Sequence, residues 1–184
     1  MTKAFEAIEL HTERLVLRPF RVGDEADLYD IYSDAEVARY LPRGPWSDIA
    51  SARERIARDI AFMASGGSVR LAIMRKGDNK VIGDCCLFNF MHQCKRAELG
   101  YSQLRSEWGQ GFVGEALRAF VGYGFDDLDL MRLEADIDPR NVASARSLER
   151  LGFLKEGHLR DRWIVEGEVS DSGLYGLLRR DWAR

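Results

Sequence analysis

Cysteine, proline and histidine are all scarce in this 184-residue chain, at three, four and three. Cys85 and Cys86 are adjacent and Cys94 stands apart. An odd count without framework spacing excludes a disulfide-stapled scaffold and fits buried thiols in a reducing compartment. His11, His92 and His158 are isolated, so no metal site is expected. No apolar run approaches the roughly 18 to 20 residues that span a bilayer. Met1 to Glu13 carries acids where a signal peptide needs an apolar core, which points to a cytoplasmic protein without membrane contact. Charge of one sign is lacking as well: 27 basic against 30 acidic side chains leave −3, interleaved along the chain. Neither a nucleic acid nor an anionic membrane is therefore an expected partner. Repeats, linkers and low-complexity segments are absent too.

What is present is a globular composition, 46% hydrophobic and 31% charged. The length is close to the roughly 150 residues of one domain, so a single domain over residues 1–184 is expected. Arg14 to Phe20 reads as a short strand with little one-sided polarity. From Asp24, an N-cap residue type, Leu28, Ile31, Tyr32 and Ala35 recur at helical spacing. After the turn formers of Leu41 to Trp46, Ser47 is expected to cap a second helix with the stripe Ile49, Ala52, Ile56, Ile60 and Met63, ended by Ser65-Gly66-Gly67. Val69 to Met74 and Val81 to Phe90 form a predicted hairpin, and Ala97 to Leu104 a third strand. Gly114 to Leu128 is a predicted helix whose apolar face holds Leu117, Phe120, Val121, Gly124, Phe125 and Leu128. Met131 to Ile137 then alternates strictly, so strand, helix and strand make one right-handed crossover. Asn141 caps a short helix (Val142, Ala145, Leu148) stopping at Gly152. Two final strands near Trp163 and Leu174 face each other across Glu166-Gly167.

Residues 109–114 read Gly-Gln-Gly-Phe-Val-Gly, with Glu134 twenty residues beyond the last glycine, the spelling of a dinucleotide-binding turn. Context argues against that reading. Polar Arg105-Ser106-Glu107-Trp108 stands where a buried strand would run into the first glycine, Glu134 falls in mid-strand, and only one crossover unit is available. What survives is the physical content: unpaired N–H groups at a helix N-terminus, where the positive end of the dipole receives phosphate. A pyrophosphate-bearing ligand is the expectation. The bland alternative is a glycine-rich turn with no ligand.

Ala97-Glu98-Leu99-Gly100-Tyr101, then Trp108-Gly109-Gln110-Gly111-Phe112-Val113-Gly114-Glu115-Ala116, then Asn141 and Ser144 before Leu151-Gly152-Phe153, resemble a GCN5-related N-acetyltransferase. The branch that acetylates N-termini of ribosomal proteins is the most similar, and the resemblance runs from Glu13-Arg14-Leu15 to Tyr175–Trp182. It implies an α/β fold: a mixed, mostly antiparallel sheet of about six to seven strands, one central parallel crossover and flanking helices. It also implies acetyl-CoA as co-substrate, no metal, an amine acceptor such as a protein N-terminus, and a monomer or homodimer. Where the superfamily's phosphate loop usually begins with Gln or Arg and ends with Gly or Ala, this chain has Trp108 and Val113.

Acetyl transfer from a thioester to an amine needs a neutral amine, support for the developing oxyanion and an outlet for the thiolate. The resemblance places a general base at Glu98, which the alternation puts on the polar face of its strand; the same alternation fits a carboxylate in a cross-strand pair. Gly100 suggests a bulge that would free a backbone N–H for the acetyl oxygen, although close packing would also require glycine. The resemblance further implies that this strand splays from 131–137 to admit the pantetheine arm, with Ser102, Gln103 and Leu104 along the slot and residues Trp108 to Gly114 at the phosphates. A tyrosine that many family members use to protonate the thiolate is replaced by Leu148. Ser144 is the implied substitute, with Asn141 bonding the cofactor arm; helix capping alone would also account for both. Covalent catalysis by a cysteine lacks a neighbouring base. Trp46, Phe62, Tyr101 and Trp163 could frame an acceptor pocket, with a structural core as their default role. The expected activity is direct acetyl transfer to a primary amine, a protein α-amine by family branch. Alternatives are a small-molecule amine acetyltransferase, which the non-acidic Leu41–Trp46 segment disfavours, and a catalytically silent acyl-CoA-binding module.

Overall fold

The structure is a computed structural model that describes Phe5 and residues 8–183. Within the acidic N-terminal stretch, residues 1–4, 6 and 7 lie outside the described residues, as does Arg184. The strands are β1 (Leu10–His11), β2 (Leu15–Pro19), β3 (Val69–Arg75), β4 (Val81–Met91), β5 (Arg96–Gln103), β6 (Arg132–Ile137), β7 (Leu154–Val165) and β8 (Glu168–Leu178). They form one sheet in the order β1-β2-β3-β4-β5-β6-β8-β7. Every pairing is antiparallel except β5 with β6. The sheet thus has eight strands where six to seven were expected, the two-residue β1 being too short to show as a pattern.

Helices α1 (Glu25–Ser33), α2 (Ala35–Ala38) and α3 (Ala50–Ala64) precede the hairpin β3–β4, α4 (Phe112–Asp126) makes the crossover between β5 and β6, and α5 (Val142–Arg150) follows β6. On one face of the sheet, Leu117, Phe120, Val121 and Phe125 of α4 pack with Leu15, Leu71, Leu87 and Leu133. A Cβ on Gly124 would stand 3.4 Å from Leu87 Cδ1, which explains a glycine on the helix face nearest the sheet. On the other face α1 and α3 cover β2 to β4 through Leu28, Ile31, Tyr32, Ala52 and Ile56. Because β2 is covered on both faces, Leu15, Val16, Leu17 and even Arg18 are buried, hence its missing alternation.

Several local expectations are corrected by tertiary contacts. Asp24 precedes α1 but makes no side-chain cap bond; its carboxylate takes the buried Arg18 guanidinium at 2.7 and 2.9 Å, a bidentate charge-assisted pair that outweighs a cap. The helix expected to continue through Ala35 breaks at Asp34, whose side chain caps α2 by accepting from Glu36 N. Ser47 caps nothing: α3 starts at Ala50, whose N–H donates to Asp48 Oδ1, and Ile60 of the expected stripe is exposed. The register shift between β4 and β5 lies between Phe88 and Met91, so Gly100 sits in regular register opposite Cys86. Close packing is its reason: an added Cβ would approach Cys86 Sγ to 3.2 Å and the Phe88 ring to 3.3 Å. By contrast Asn141 does cap α5, accepting from Ser144 N at 3.1 Å, and Leu148 is buried as the pattern required.

Candidate functional site

The parallel pair β5–β6 holds for three positions only, Arg96–Arg132, Ala97–Leu133 and Glu98–Glu134. Beyond Glu98, β5 continues along β4 to Gln103 while β6 continues along β8 to Ile137, so the two central strands part. A cleft of about 790 Å³ opens there, walled by β5, the start of α4, the start of α5 and the residues around α2. This parting is the feature that the resemblance implied and that periodicity could not reveal.

Local geometry at the α4 end follows from glycine. Gly109 and Gly111 have φ of +76° and +79°, a region that a Cβ disfavours, and Gly111 is the N-cap of α4 without any side-chain cap bond. The N–H groups from Gly109 to Gly114 have no protein acceptor among the described residues, and they stand at the positive end of a 15-residue helix. Glu115, in the same first turn, would oppose an anion. It is clasped by Thr12 Oγ1 at 2.6 Å, Arg14 N at 2.8 Å and Arg14 Nε at 2.6 Å. Arg14 also reaches Gln110 O and lies over the Phe112 ring at 4.4 Å, so one β2-flanking side chain ties the glycine turn to the sheet. The loop's other end is fastened by Trp108 Nε1 donating to Gln103 O and Gln103 Nε2 donating to Glu107 O. Arg39, Arg118, Arg140 and Arg150 line the cleft; Arg39 faces Glu36 and Arg140 is held by Asp138 and Glu168, which leaves Arg118 and Arg150 as the wall's cations for a polyanion.

Of the residues picked from sequence, Ser102, Gln103, Trp108, Gly109, Gly111, Val113, Gly114, Asn141 and Ser144 are brought together on the cleft wall. Four are not. Leu104 packs beside the second core cluster. The Gln110 side chain turns back to Ser106 O, and Phe112 is buried beneath Arg14. Glu98 is outside the lining but stands at the vertex, the last paired position before the strands part, and its carboxylate has no hydrogen bond or ion pair among the described residues. Its neighbour Glu134 is satisfied by Arg132 at 2.7 Å and by Arg96, which leaves no role for it at a ribose.

At the α5 end, Ser144 Oγ is 2.7 Å from the Tyr101 hydroxyl, which also donates to Ser144 O at 3.2 Å. Burial pushes the Tyr101 hydroxyl up to about 12, against the pull of its Ser144 and Ser147 hydrogen bonds. Tyr101 therefore remains a proton-bearing group at neutral pH. From sequence it is one of four candidate pocket aromatics; strand alternation dictates its face, and only the tertiary structure supplies its partner on α5. Of the other aromatics, Phe62 is exposed away from the cleft and Trp46 stacks on Tyr32. Burial raises both the Cys85 and the Cys86 thiol, consistent with inert side chains.

Residues 14–154 match the family model described as an acetyltransferase (GNAT) domain. The chain belongs to the GNAT acetyltransferases. Among GNAT relatives, the uncharacterised N-acetyltransferase p20 of Bacillus licheniformis is 39% identical over 175 residues, covering 95% of this chain and 98% of that protein. The [Ribosomal protein uS5]-alanine N-acetyltransferase of Escherichia coli is 29% identical over 187 residues, covering 95% and 93%. The solved structure of Mycobacterium smegmatis RimJ in complex with CoA-disulfide shares the fold at a TM-score of 0.86 and 22% identity, covering 96% of this chain and 90% of that one. The GNAT assignment agrees with the eight-stranded, mostly antiparallel sheet and its single parallel pair. No helix among the described residues of this GNAT chain is long and apolar enough to cross a membrane.

Proposed function

We propose that the chain transfers the acetyl group of acetyl-CoA to a primary amine, a protein N-terminal α-amine, by direct attack with both substrates bound in the cleft. The observation that carries this reading is the parting of β5 and β6 beyond Glu98 beside the unpaired N–H groups of Gly109–Gly114. Those N–H groups, with Arg118 and Arg150 of the wall, suit a pyrophosphate; Gln103 at the end of β5 and the side chain of Asn141 are placed for the arm that follows it. Acetyl-CoA supplies the acyl thioester when bound. Glu98, unpaired at the vertex, takes the amine's proton through a water, since its side chain is not on the cleft wall itself. Ser144 Oγ, when it takes the Tyr101 hydrogen across 2.7 Å, turns its own hydrogen to the departing sulfur, and the proton it gives is replaced from Tyr101, which regains one from water. A thiol of reference pKa near 8.5 needs only modest help there. The acceptor class is supported by the name of the E. coli relative, whose target is an alanine of a ribosomal protein.

A panel of peptides and small amines, read by release of free CoA thiol, tests the proposal. Turnover with a peptide bearing a free N-terminus, abolished when that terminus is blocked, is the expected result. Preference for a polyamine or an amino sugar would overturn the protein acceptor, and binding of acetyl-CoA without turnover on any amine would overturn catalysis itself.

A further inference from the structure

One group on the cleft wall has its polarity set from behind. Ser102 lines the cleft from β5, on the sheet face opposite Tyr101, and is 7% exposed. Its Oγ donates to the Tyr32 hydroxyl of α1 at 3.2 Å, and that hydroxyl donates to Asp84 Oδ1 at 2.9 Å. Asp84 is the β4 residue directly opposite Ser102 in the ladder and is wholly buried. Its other oxygen is held by Arg70 of β3, which also meets Asp59 of α3 at 3.2 Å, and Arg55 completes the set by pairing with Asp59 at 2.9 Å. Two carboxylates and two guanidiniums make a neutral cluster.

The order of donation in this chain follows from what each group can do. A carboxylate facing an arginine is acceptor-only, and a hydroxyl has one hydrogen. Tyr32 must commit its hydrogen to Asp84, because a buried carboxylate oxygen without a donor is costly. Burial first, and the charge of Asp84 second, raise the Tyr32 hydroxyl above its usual pKa, so that hydrogen stays in place. Ser102 must then commit its own hydrogen to Tyr32, and toward the cleft Oγ has lone pairs only. Such a wall suits an amine about to react. A donor there would bind the nitrogen lone pair that has to attack, whereas an acceptor takes an N–H and leaves the lone pair free.

We propose that Ser102 Oγ accepts an N–H of the acceptor amine and aims its lone pair at the thioester, with Tyr32 and Asp84 as the positioning residues that keep Oγ an acceptor. The assignment rests on the reading of this cleft as a site of acetyl transfer to amines. Steady-state kinetics on Ser102→Ala, Tyr32→Phe and the double variant test it, each checked for folding by thermal melting. Tyr32→Phe keeps the ring stacked on Trp46, 4.6 Å away, but frees the Ser102 hydrogen to turn outward. Each single variant is expected to raise the KM for the amine and lower kcat/KM by about ten- to a hundredfold, with the KM for acetyl-CoA unchanged. The double variant should be no worse than the more damaged single one, because both remove the same contact. Should Tyr32→Phe fail to fold, Ser102→Ala alone decides through the split between the two KM values. Unchanged amine kinetics, equal changes in both KM values, or multiplicative losses in the double variant overturn the assignment. If the unsubstituted protein releases no CoA with any amine, the functional reading falls and takes this one with it; active protein with insensitive variants overturns this one alone.

Discussion

Gly114 offers a perturbation in which stability and ligand affinity should move in opposite directions. It is the third residue of α4, it faces the cleft, and a Cβ added there meets nothing within 4 Å. Gly114→Asp replaces the poorer helix former and adds a negative charge to a helix N-terminus. The propensity gain is about 0.3 kcal/mol and the dipole term about 0.3–1 kcal/mol, together about 1 kcal/mol. For a chain of this size that raises Tm by about 2–4 °C. The same carboxylate lies where a pyrophosphate would sit. A unit charge at about 5 Å with an effective dielectric constant near 20 repels by about 3 kcal/mol, and screening reduces this to roughly 2–3 kcal/mol, or about a hundredfold in Kd. With acetyl-CoA at about 100 times the Kd of the unsubstituted protein, mass action stabilises that protein by about 2.7 kcal/mol but the variant by only about 0.4 kcal/mol. The melting curves should therefore cross: the variant melts higher alone and lower in saturating acetyl-CoA. Gly114→Ala, which has the helix gain without the charge, should melt higher in both conditions. Equal ligand-induced shifts for Gly114→Asp and the unsubstituted protein would refute phosphate binding at this turn.

Glu98→Gln should lower turnover by about 10² to 10⁴ while the melting shift caused by acetyl-CoA persists, and activity should partly return as pH rises toward the α-amine's reference pKa near 8. An unchanged rate and pH profile would reduce Glu98 to a strand carboxylate. Tyr101→Phe removes the partner of Ser144 Oγ and should reduce kcat about tenfold with little change in KM for acetyl-CoA, an effect that vanishes if Ser144 is already alanine. Burial pulls the Glu115 carboxyl upward, but hydrogen bonds from Thr12 and Arg14 outweigh it and hold the group below its usual 4.5. A lowered folded-state pKa stabilises above the ordinary carboxylate value and is lost as pH falls through the lowered one. Between pH 6 and pH 3, Glu115→Gln should begin with a lower Tm and lose less of it than the unsubstituted protein; parallel curves would show that the clasp carries no stability.

What the amino-acid sequence determined by itself is whatever depends on neighbours along the chain. The spacing of Leu117, Phe120, Val121 and Phe125 dictates a one-faced helix, the glycines at 109 and 111 permit left-handed backbone before it, and Asn141 starts the next helix by accepting from Ser144 N three residues on. The order of strands and helices was legible for the same reason. Local rules failed where a distant charge competed: Asp24 abandons the cap of α1 because buried Arg18 needs both of its oxygens. Gly100 has the residue type of a bulge, and only its neighbours Cys86 and Phe88, fourteen and twelve residues away in sequence, make it a packing position. The place where β5 and β6 part, the meeting of Tyr101 with Ser144 across 43 residues, and the polarity of Ser102 set by Tyr32 across 70 were decided by tertiary structure alone. A hydrogen bond between distant segments depends on strand register and on which buried charges must be satisfied, and neither quantity is carried by any window of local sequence.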